Sequence, residues 1–333
     1  MVGAQKRGIG EPLVVSFSGC LFIIQYQKSA LHSFSMRSGL GFTYASSHRH
    51  NQPNSKQEEG DHMACAKLKM LSWNILEGAC RNWQDGAGGV DIARLQYIQT
   101  FLQENDFDIV VLNEALWGQE GLEHFIDYAA LFNMPFSFAH AYDGAWGNVV
   151  LSKHAFVNER VMSIHNRSGL LVTLPFGNEF GLLKIGTYHP HPSRYPSHKA
   201  EDFRALCQMV GSSPGLICGD FNAISPRDNV DEVALTQAFK AFSKTPASSL
   251  ARFTEGGRKV FGMFDELQWH DAVSLENARH TMPTRLFGGE EESAMRIDHV
   301  MHNNYVKARS FIVQNDLTHF ASDHYPVVTD IVL

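Results

Sequence analysis

The sequence predicts an α/β protein in which sheets are packed between helices. Two observations carry this. From Lys67 onward, short apolar β-type runs alternate with stretches of helical periodicity. Polar residues gather at the ends of those runs, where a sheet scaffold usually carries its chemistry. With 333 residues, 44% of them hydrophobic and 19% charged, the chain can bury the core of one large domain or two modest ones. A disordered tail, a collagen and a disulfide-stapled mini-protein are excluded.

Leu68 to Asn74 reads as the first strand. Asp91 stands where an N-cap belongs, ahead of Ile92, Leu95, Ile98 and Leu102 at helical spacing. Asp108 to Glu114 is then a buried strand, Ile-Val-Val-Leu, that ends in a polar pair. Asn148 to Lys153, Leu170 to Phe176 and Leu182 to His189 read as further strands. A helix follows from about His198, with Phe203, Leu206 and Val210 inward. Leu216 to Asn222, Arg296 to His302, Ala308 to Gln314 and Val327 to Val332 complete the strand set, and Val230 to Arg258 reads as an inserted helical stretch. No internal repeat is visible.

Composition changes near residue 62. Upstream the chain is rich in serine, Glu11 is the sole acidic residue before Glu58, and Ser46 to His62 is polar without an apolar period. Residues 1–62 are expected to be a disordered leader or to precede a mis-assigned start at Met63, with 63–333 a single domain. An organelle transit peptide and a signal peptide with Leu13 to Ile24 as its apolar core are the alternatives. The five cysteines, an odd number, form no C-x-x-C pair, which favours a reducing compartment and a cytoplasmic address. No apolar run approaches the ~20 residues of a membrane span.

The 28 Lys+Arg against 35 Asp+Glu leave a net charge of −7. Without residues 1–62 these counts fall by 6 and 4, to 22 and 31, giving −9. No global basic field gathers polyanions, so a phosphate substrate needs a local site.

Five strand ends finish in residues able to hold a hard cation or a phosphate: Ser72-Trp73-Asn74, Asn113-Glu114, Thr187-Tyr188-His189, Gly219-Asp220-Phe221-Asn222 and Ser322-Asp323-His324. Arg296-Ile297-Asp298-His299 is a sixth element. Singly, each has a plain structural account. Asn74 can end a strand, Glu114 can pair with a base, and His189 can be a turn residue among Pro190, Pro192 and Pro196. Asp220 and Asn222 fit an Asx-turn, and Asp323-His324 before Pro326 fits a strand start. Their order and company decide the matter.

That ordered set resembles the endonuclease/exonuclease/phosphatase superfamily, over about residues 67 to 333. Gly147 to Lys153 and Asp108 to Glu114 look like its central and glutamate strands. The resemblance implies a four-layer α/β sandwich, two face-to-face mixed β-sheets flanked by helices, and phosphoester hydrolysis assisted by a divalent metal. It implies that Asn74 and Glu114 bind the metal, with Asp323 near the same ion. Asp220 would orient or deprotonate the attacking water, with Asn222 contacting phosphate. His189 and His324 would be the two histidines at the phosphate, and Asp298 would orient the second.

The chemistry of the residues agrees. Carboxylate and amide oxygens without thiolate suit Mg²⁺ or Mn²⁺ rather than zinc. A carboxylate acting as general base is worth ~10²–10⁴-fold, and a protonated His324 held by Asp298 would stabilise developing negative charge. His191 and His198 read as surface histidines. Tyr142 and Trp146 stand before Gly147-Asn148 without a residue-level match, and the Asn166-Arg167-Ser168 sequon matters only in a secreted protein.

The fold does not choose the substrate. For nucleic acid the basic track is thin: Arg81 and Trp83 in a glycine-rich loop, then Arg194, Tyr195 and Lys199. For a lipid phosphodiester, Leu131 to Phe138 is the candidate docking loop, although core packing is the commoner fate of its aromatics. The main expectation is a phosphodiesterase or nuclease. The alternatives are a sphingomyelinase-like phospholipid phosphodiesterase and a non-catalytic scaffold, which the intact set of reactive side chains disfavours. Oligomeric state is not legible in the sequence.

Overall fold

The computed structural model describes residues 67–79, 90–116, 118–119, 122–123, 127–141, 147–164, 167–176, 181–240, 243–287 and 294–332, and the backbone of 13–17 and 20–24. Contacts divide the chain into two units, Met1–Glu59 and Gly60–Leu333. In the first, Leu13–Phe17 and Cys20–Ile24 pair antiparallel.

The second unit begins with β1 (Lys67–Asn74), α1 (Ile92–Asn105) and β2 (Ile109–Leu116). Asp91 caps α1 as expected, its side chain accepting from the Ala93 and Arg94 amides at 3.1 and 3.3 Å. Then come β3 (Phe136–Ala141), β4 (Gly147–Ser152), β5 (Asn158–Ile164), β6 (Arg167–Pro175) and β7 (Leu182–Thr187). Helix α2 (Pro196–Val210) leads to β8 (Gly215–Asp220), and α3 (Glu232–Phe239) to α4 (Pro246–Glu266). The two-residue β9 (His270–Asp271), β10 (Asp298–His302), β11 (Lys307–Ile312) and β12 (Val327–Val332) close the chain.

Two six-stranded sheets result, ordered β11-β12-β1-β2-β4-β3 and β9-β10-β8-β7-β6-β5. In each, the third and fourth strands are parallel and their other named neighbours antiparallel. A parallel pair needs a crossover, which α1 and α2 supply.

Alternation along the strands builds the layers, because successive side chains point to opposite faces. Met70, Ile109, Val111, Leu170, Val172, Leu216 and Cys218 face the core between the sheets. Leu71, Trp73, Val110 and Leu112 turn outward onto Ile98, Phe101 and Leu102 of α1. Leu171 and Ile217 turn outward onto Phe203 and Leu206 of α2 and Val260, Phe261 and Phe264 of α4. Apolar on both faces, the central strands read as continuous hydrophobic runs, and the expected four-layer sandwich is the fold.

Several readings change. Strands β3 and β5 escape the sequence pattern because both lie on sheet edges, where the pairing is one-sided and most side chains are exposed or half-buried. The stretch from Val230 to Arg258 is two helices, and the second runs on to Glu266 as part of an outer layer rather than as an insertion. Gly257 lets α4 lie directly on the chain after β8, since a Cβ there would collide with Ile224 O. In the stretch from Leu131 to Phe138, Met134 is buried, Phe132 and Phe138 are half-buried against the core, and Phe136 is exposed. Among the described residues no helix is long and apolar enough to cross a membrane. Arg81, Trp83, Tyr142, Trp146 and Asn166 lie outside the described residues.

Both sheets and all four apolar clusters lie within the second unit, and we propose that residues 63–333 fold by themselves. A chain beginning at Met63 is expected to melt at the midpoint of the full-length protein in calorimetry. A lower midpoint would show that residues 1–62 contribute to the fold.

Candidate functional site

The two parallel pairs point their carboxyl ends the same way. Asn74 ends β1, Asn113 and Glu114 lie near the end of β2, His189 follows β7, and Asp220 ends β8. The antiparallel neighbours bring their amino ends to the same edge: Asp298 opens β10, and Ser322 to His324 precede β12. Strand carboxyl ends are where α/β sheets usually bind ligands.

An amide joins the two sheets at this edge. Asn113, fully buried on β2, donates through Nδ2 to Asn148 Oδ1 at 2.8 Å and Thr187 Oγ1 at 3.2 Å. Its Oδ1 accepts the Asp220 N–H at 2.9 Å. Gly219 permits that approach, because its φ of 135° disfavours other residues and a Cβ would sit 2.8 Å from Asn113 Oδ1.

Around this bridge the expected residues form one network. Asn74 Nδ2 lies between Glu114 Oε1 at 3.0 Å and Asp220 Oδ2 at 3.2 Å, while its Oδ1 accepts from the Leu76 amide. His189 Nε2 is 3.3 Å from Asp220 Oδ2 and 3.7 Å from Glu114 Oε1. His324 Nδ1 is 2.7 Å from Asp298 Oδ2, and its Nε2 lies 3.9 Å from Asp220 and 4.0 Å from Asp323. Asn222 Nδ2 donates to Pro190 O at 2.9 Å and reaches Asp220 Oδ2 at 3.4 Å, which binds the side chain into its own turn.

The supports come from the core. Trp73 packs edge-on against Phe101 and donates Nε1–H to His324 O at 2.8 Å. Ser322 Oγ donates to Asn74 O at 2.7 Å and accepts from the His324 amide at 3.3 Å. Thr281 Oγ1 receives the Ile297 and Asp298 amides. The sixth motif divides: Asp298 belongs to the site, whereas Arg296 pairs in the interior with Asp228 and Asp271 and His299 meets Ala223 O.

Backbone strain collects beside the carboxylates. Glu114 has φ 56°, where the β2–β4 register shifts, as a bulge re-aims a side chain. Leu76, Glu77, Gly78 and Ala79 all have positive φ, between 46° and 65°, at roughly 1–2 kcal/mol for each residue with a side chain. Buried Arg94 braces this left-handed turn through Ile75 O and Leu76 O, and binds Ala321 O.

That turn brings in a residue the sequence reading missed. Glu77 is 2% exposed and donates its amide to Glu114 Oε2 at 3.1 Å, while no hydrogen bond reaches its carboxylate among the described residues. Its sequence signal was only its place three residues after Asn74, which a strand-end reading does not use. Arg94 and Arg167, a buried guanidinium near the charges of Glu114 and Asp220, were missed for the same reason, being set by tertiary proximity, and Asn113, read as part of a polar strand end, gave no sign of its bridging contacts. The basic track thins further, since Arg194 pairs with Asp202 and Lys199 is fully buried.

Charge follows burial and neighbours. Burial, then Glu114 and Asp323, push Glu77 up to about 8. Burial likewise raises Glu114 and Asp323. Burial works against charge on Asp220, but His189 and then His324 outweigh it and hold the carboxyl below the usual range. Burial also opposes charge on His324, yet Asp298, with Asp323 and Asp220, holds it well above an ordinary histidine. Glu77, Glu114 and Asp323 are thus buried acids held above the usual carboxylate range, first by burial and then by neighbouring carboxylates, a donor set suited to a hard dication. Among the described residues no three His, Cys, Asp or Glu side chains already form a protein-only cage. Mg²⁺ typically takes one or two protein carboxylates and completes its shell with water and substrate, and these residues fit that pattern.

Residues 71–324 match the model of the Endonuclease/Exonuclease/phosphatase family. No curated protein matches the chain. Among solved structures, the chain resembles an endonuclease/exonuclease/phosphatase from Beutenbergia cavernae DSM 12333, at 22% identity, TM-score 0.59, over 80% of this chain and 72% of that one. It also resembles the Bacteroides vulgatus endonuclease/exonuclease/phosphatase, at 16% identity, TM-score 0.54, over 80% and 99%. D. rerio TDP2 complexed with single strand DNA product gives 15% identity, TM-score 0.51, over 80% and 100%.

Two outcomes are expected from this geometry. Asn113→Leu removes the only acceptor shown for the Asp220 amide and is expected to cost about 1–3 kcal/mol in denaturant unfolding, the penalty of a buried donor left unpaired; an unchanged midpoint would dismiss the bridge. Glu77 keeps its proton to about 8 when folded and loses it near 4.5 when unfolded, so stability contributed by this group falls as pH rises through that window. In EDTA, Glu77→Gln is expected to melt like wild type at pH ~5 and above it at pH ~9. Parallel melting curves would contradict the assignment.

Proposed function

The chain belongs to the endonuclease/exonuclease/phosphatase family, a family of phosphoester hydrolases, and from that premise we propose that it is a divalent-metal-dependent phosphodiesterase of the nuclease type. The observation that carries the reading is the single buried network from Glu114 through Asn74 and Asp220 to His189 and His324. It gathers oxygen donors and imidazoles around one carboxylate, Asp220.

Glu114, with Asn74 and Asp323, would hold Mg²⁺ or Mn²⁺, and Glu77 stands beside them. Such an ion neutralises phosphoryl charge and polarises the phosphorus. Asp220 remains ionised across the neutral range, so it serves as a fixed acceptor that orients a water for attack. His324 stays protonated through Asp298 and presents Nε2–H to a phosphoryl oxygen. His189 lies within reach of both Asp220 and Glu114. Arg167 adds a second buried cation near the acids, so phosphate meets local positive charge on an acidic protein.

Met134 is buried and Phe132 and Phe138 pack partly on the core, which leaves Phe136 as the exposed aromatic of the stretch read for lipid docking. A structural neighbour bound to single strand DNA product supports testing nucleic acid first. Hydrolysis of bis(p-nitrophenyl) phosphate is expected with Mg²⁺, to vanish with EDTA, and to drop ~10²–10⁴-fold in Asp220→Asn and in His324→Gln. Labelled single strands are expected to be cleaved and sphingomyelin vesicles left intact. Turnover indifferent to EDTA or to Asp220→Asn would refute the enzyme reading, and cleavage of sphingomyelin alone would transfer it to lipid.

A further inference from the structure

Lys199 lies on α2, fully buried and outside every role considered so far. Its Nζ donates to Asn222 O at 2.5 Å and reaches Pro192 O at 3.4 Å. The first carbonyl belongs to the turn after Asp220, where Asn222 has φ 47°. The second belongs to the loop after His189. The same two segments meet again where Asn222 Nδ2 donates to Pro190 O.

Helix α4 closes over this point. Its Phe253 ring lies 5.3 Å from Lys199 Nζ, and Phe253 O accepts the Ile224 amide at 3.1 Å. Gly256 of the same helix packs beside the lysine stem, where a Cβ would make ordinary contact 3.6 Å from Lys199 Cδ. A lysine amine held by two carbonyls, where burial outweighs the pull of Asp220 and lowers its pKa to about 7, is an expensive feature for a helix that could bury leucine there. What it secures is the relative placement of the two loops that carry His189 and Asp220.

We infer that Lys199 is a positioning residue for the reaction: its side-chain amino group ties the His189–Pro192 loop to the Asp220–Asn222 turn and holds the imidazole and the carboxylate at their working separation. It acts through Asn222 O and Pro192 O and touches no substrate. The inference rests on the phosphodiesterase reading only for its effect on turnover.

Lys184 supplies the comparison. It makes the same kind of contact, Nζ to Val210 O at 2.8 Å and Met209 O at 3.3 Å, at the far end of α2 and remote from the site. Lys199→Met and Lys184→Met are measured beside wild type for thermal stability, for kcat and KM on bis(p-nitrophenyl) phosphate, and for amide hydrogen exchange. Both variants are expected to lose stability. Only Lys199→Met is expected to lose about 10²-fold in kcat, with KM within a factor of about three, as Å-scale misplacement of a reacting group does. It alone is expected to show faster exchange in both 189–193 and 219–225. Unchanged exchange in those segments, or a kcat loss no greater than that of Lys184→Met, overturns the inference. Should Lys199→Met not fold, Lys199→Gln, with an NH₂ donor on a shorter stem, takes its place. If wild type does not hydrolyse the ester, the phosphodiesterase reading falls, and the exchange measurement still decides the role of Lys199.

Discussion

Asn113 accepts the Asp220 amide and donates to Thr187 on the facing sheet, so a fully buried amide spans two sheets that elsewhere meet mainly through apolar side chains. Apolar packing is non-directional and sets no register between sheets to within an ångström. A hydrogen-bonded amide does, because its donors and acceptor have fixed directions and a buried lapse is costly. Glu114 follows Asn113 in the chain and Asp220 is the residue bridged. The separation of the two carboxylates is therefore governed by this contact more than by the core around it.

The remaining features read as consequences. Once both parallel pairs end at one edge, six separate segments deliver polar residues into a small volume, and like charges must share it. The left-handed turn at Leu76–Ala79, the positive φ of Glu114 and the buried Arg94 are the conformational cost of turning acids inward rather than letting them reach water. Asp220 and His324 then differ in character through their neighbours alone. Imidazoles keep the first ionised, and Asp298 keeps the second charged, so acceptor and donor are held ready at the same pH.

Local charge also resolves the contrast between an acidic chain and a phosphate substrate. His324 and Arg167 face the site from the interior, while Lys199, which looked like part of a basic track, is committed to holding loops together. Net charge of the whole protein says little about a pocket whose walls exclude water.

Much was legible in the chain. The central strands declare themselves because residues such as Ile109 to Leu112 are apolar on both faces, and α1 because Asp91 caps a periodic face, whereas the polar ends Asn74, Glu114, His189, Asp220, Asp298 and His324 were legible only through their order and company. The strand and helix signals are local, and local chemistry decides them. Edge strands β3 and β5 were silent, since half-exposed pairing leaves no strict period. Glu77 and Arg94 were silent, and Asn113 and Lys199 were noticed without their actual contacts, for a different reason. Nothing in their neighbouring residues distinguishes a solvated Glu or Lys from a buried one; only the closing of one sheet on the other, and of α4 on the turn after β8, takes them out of water and gives them partners distant in sequence.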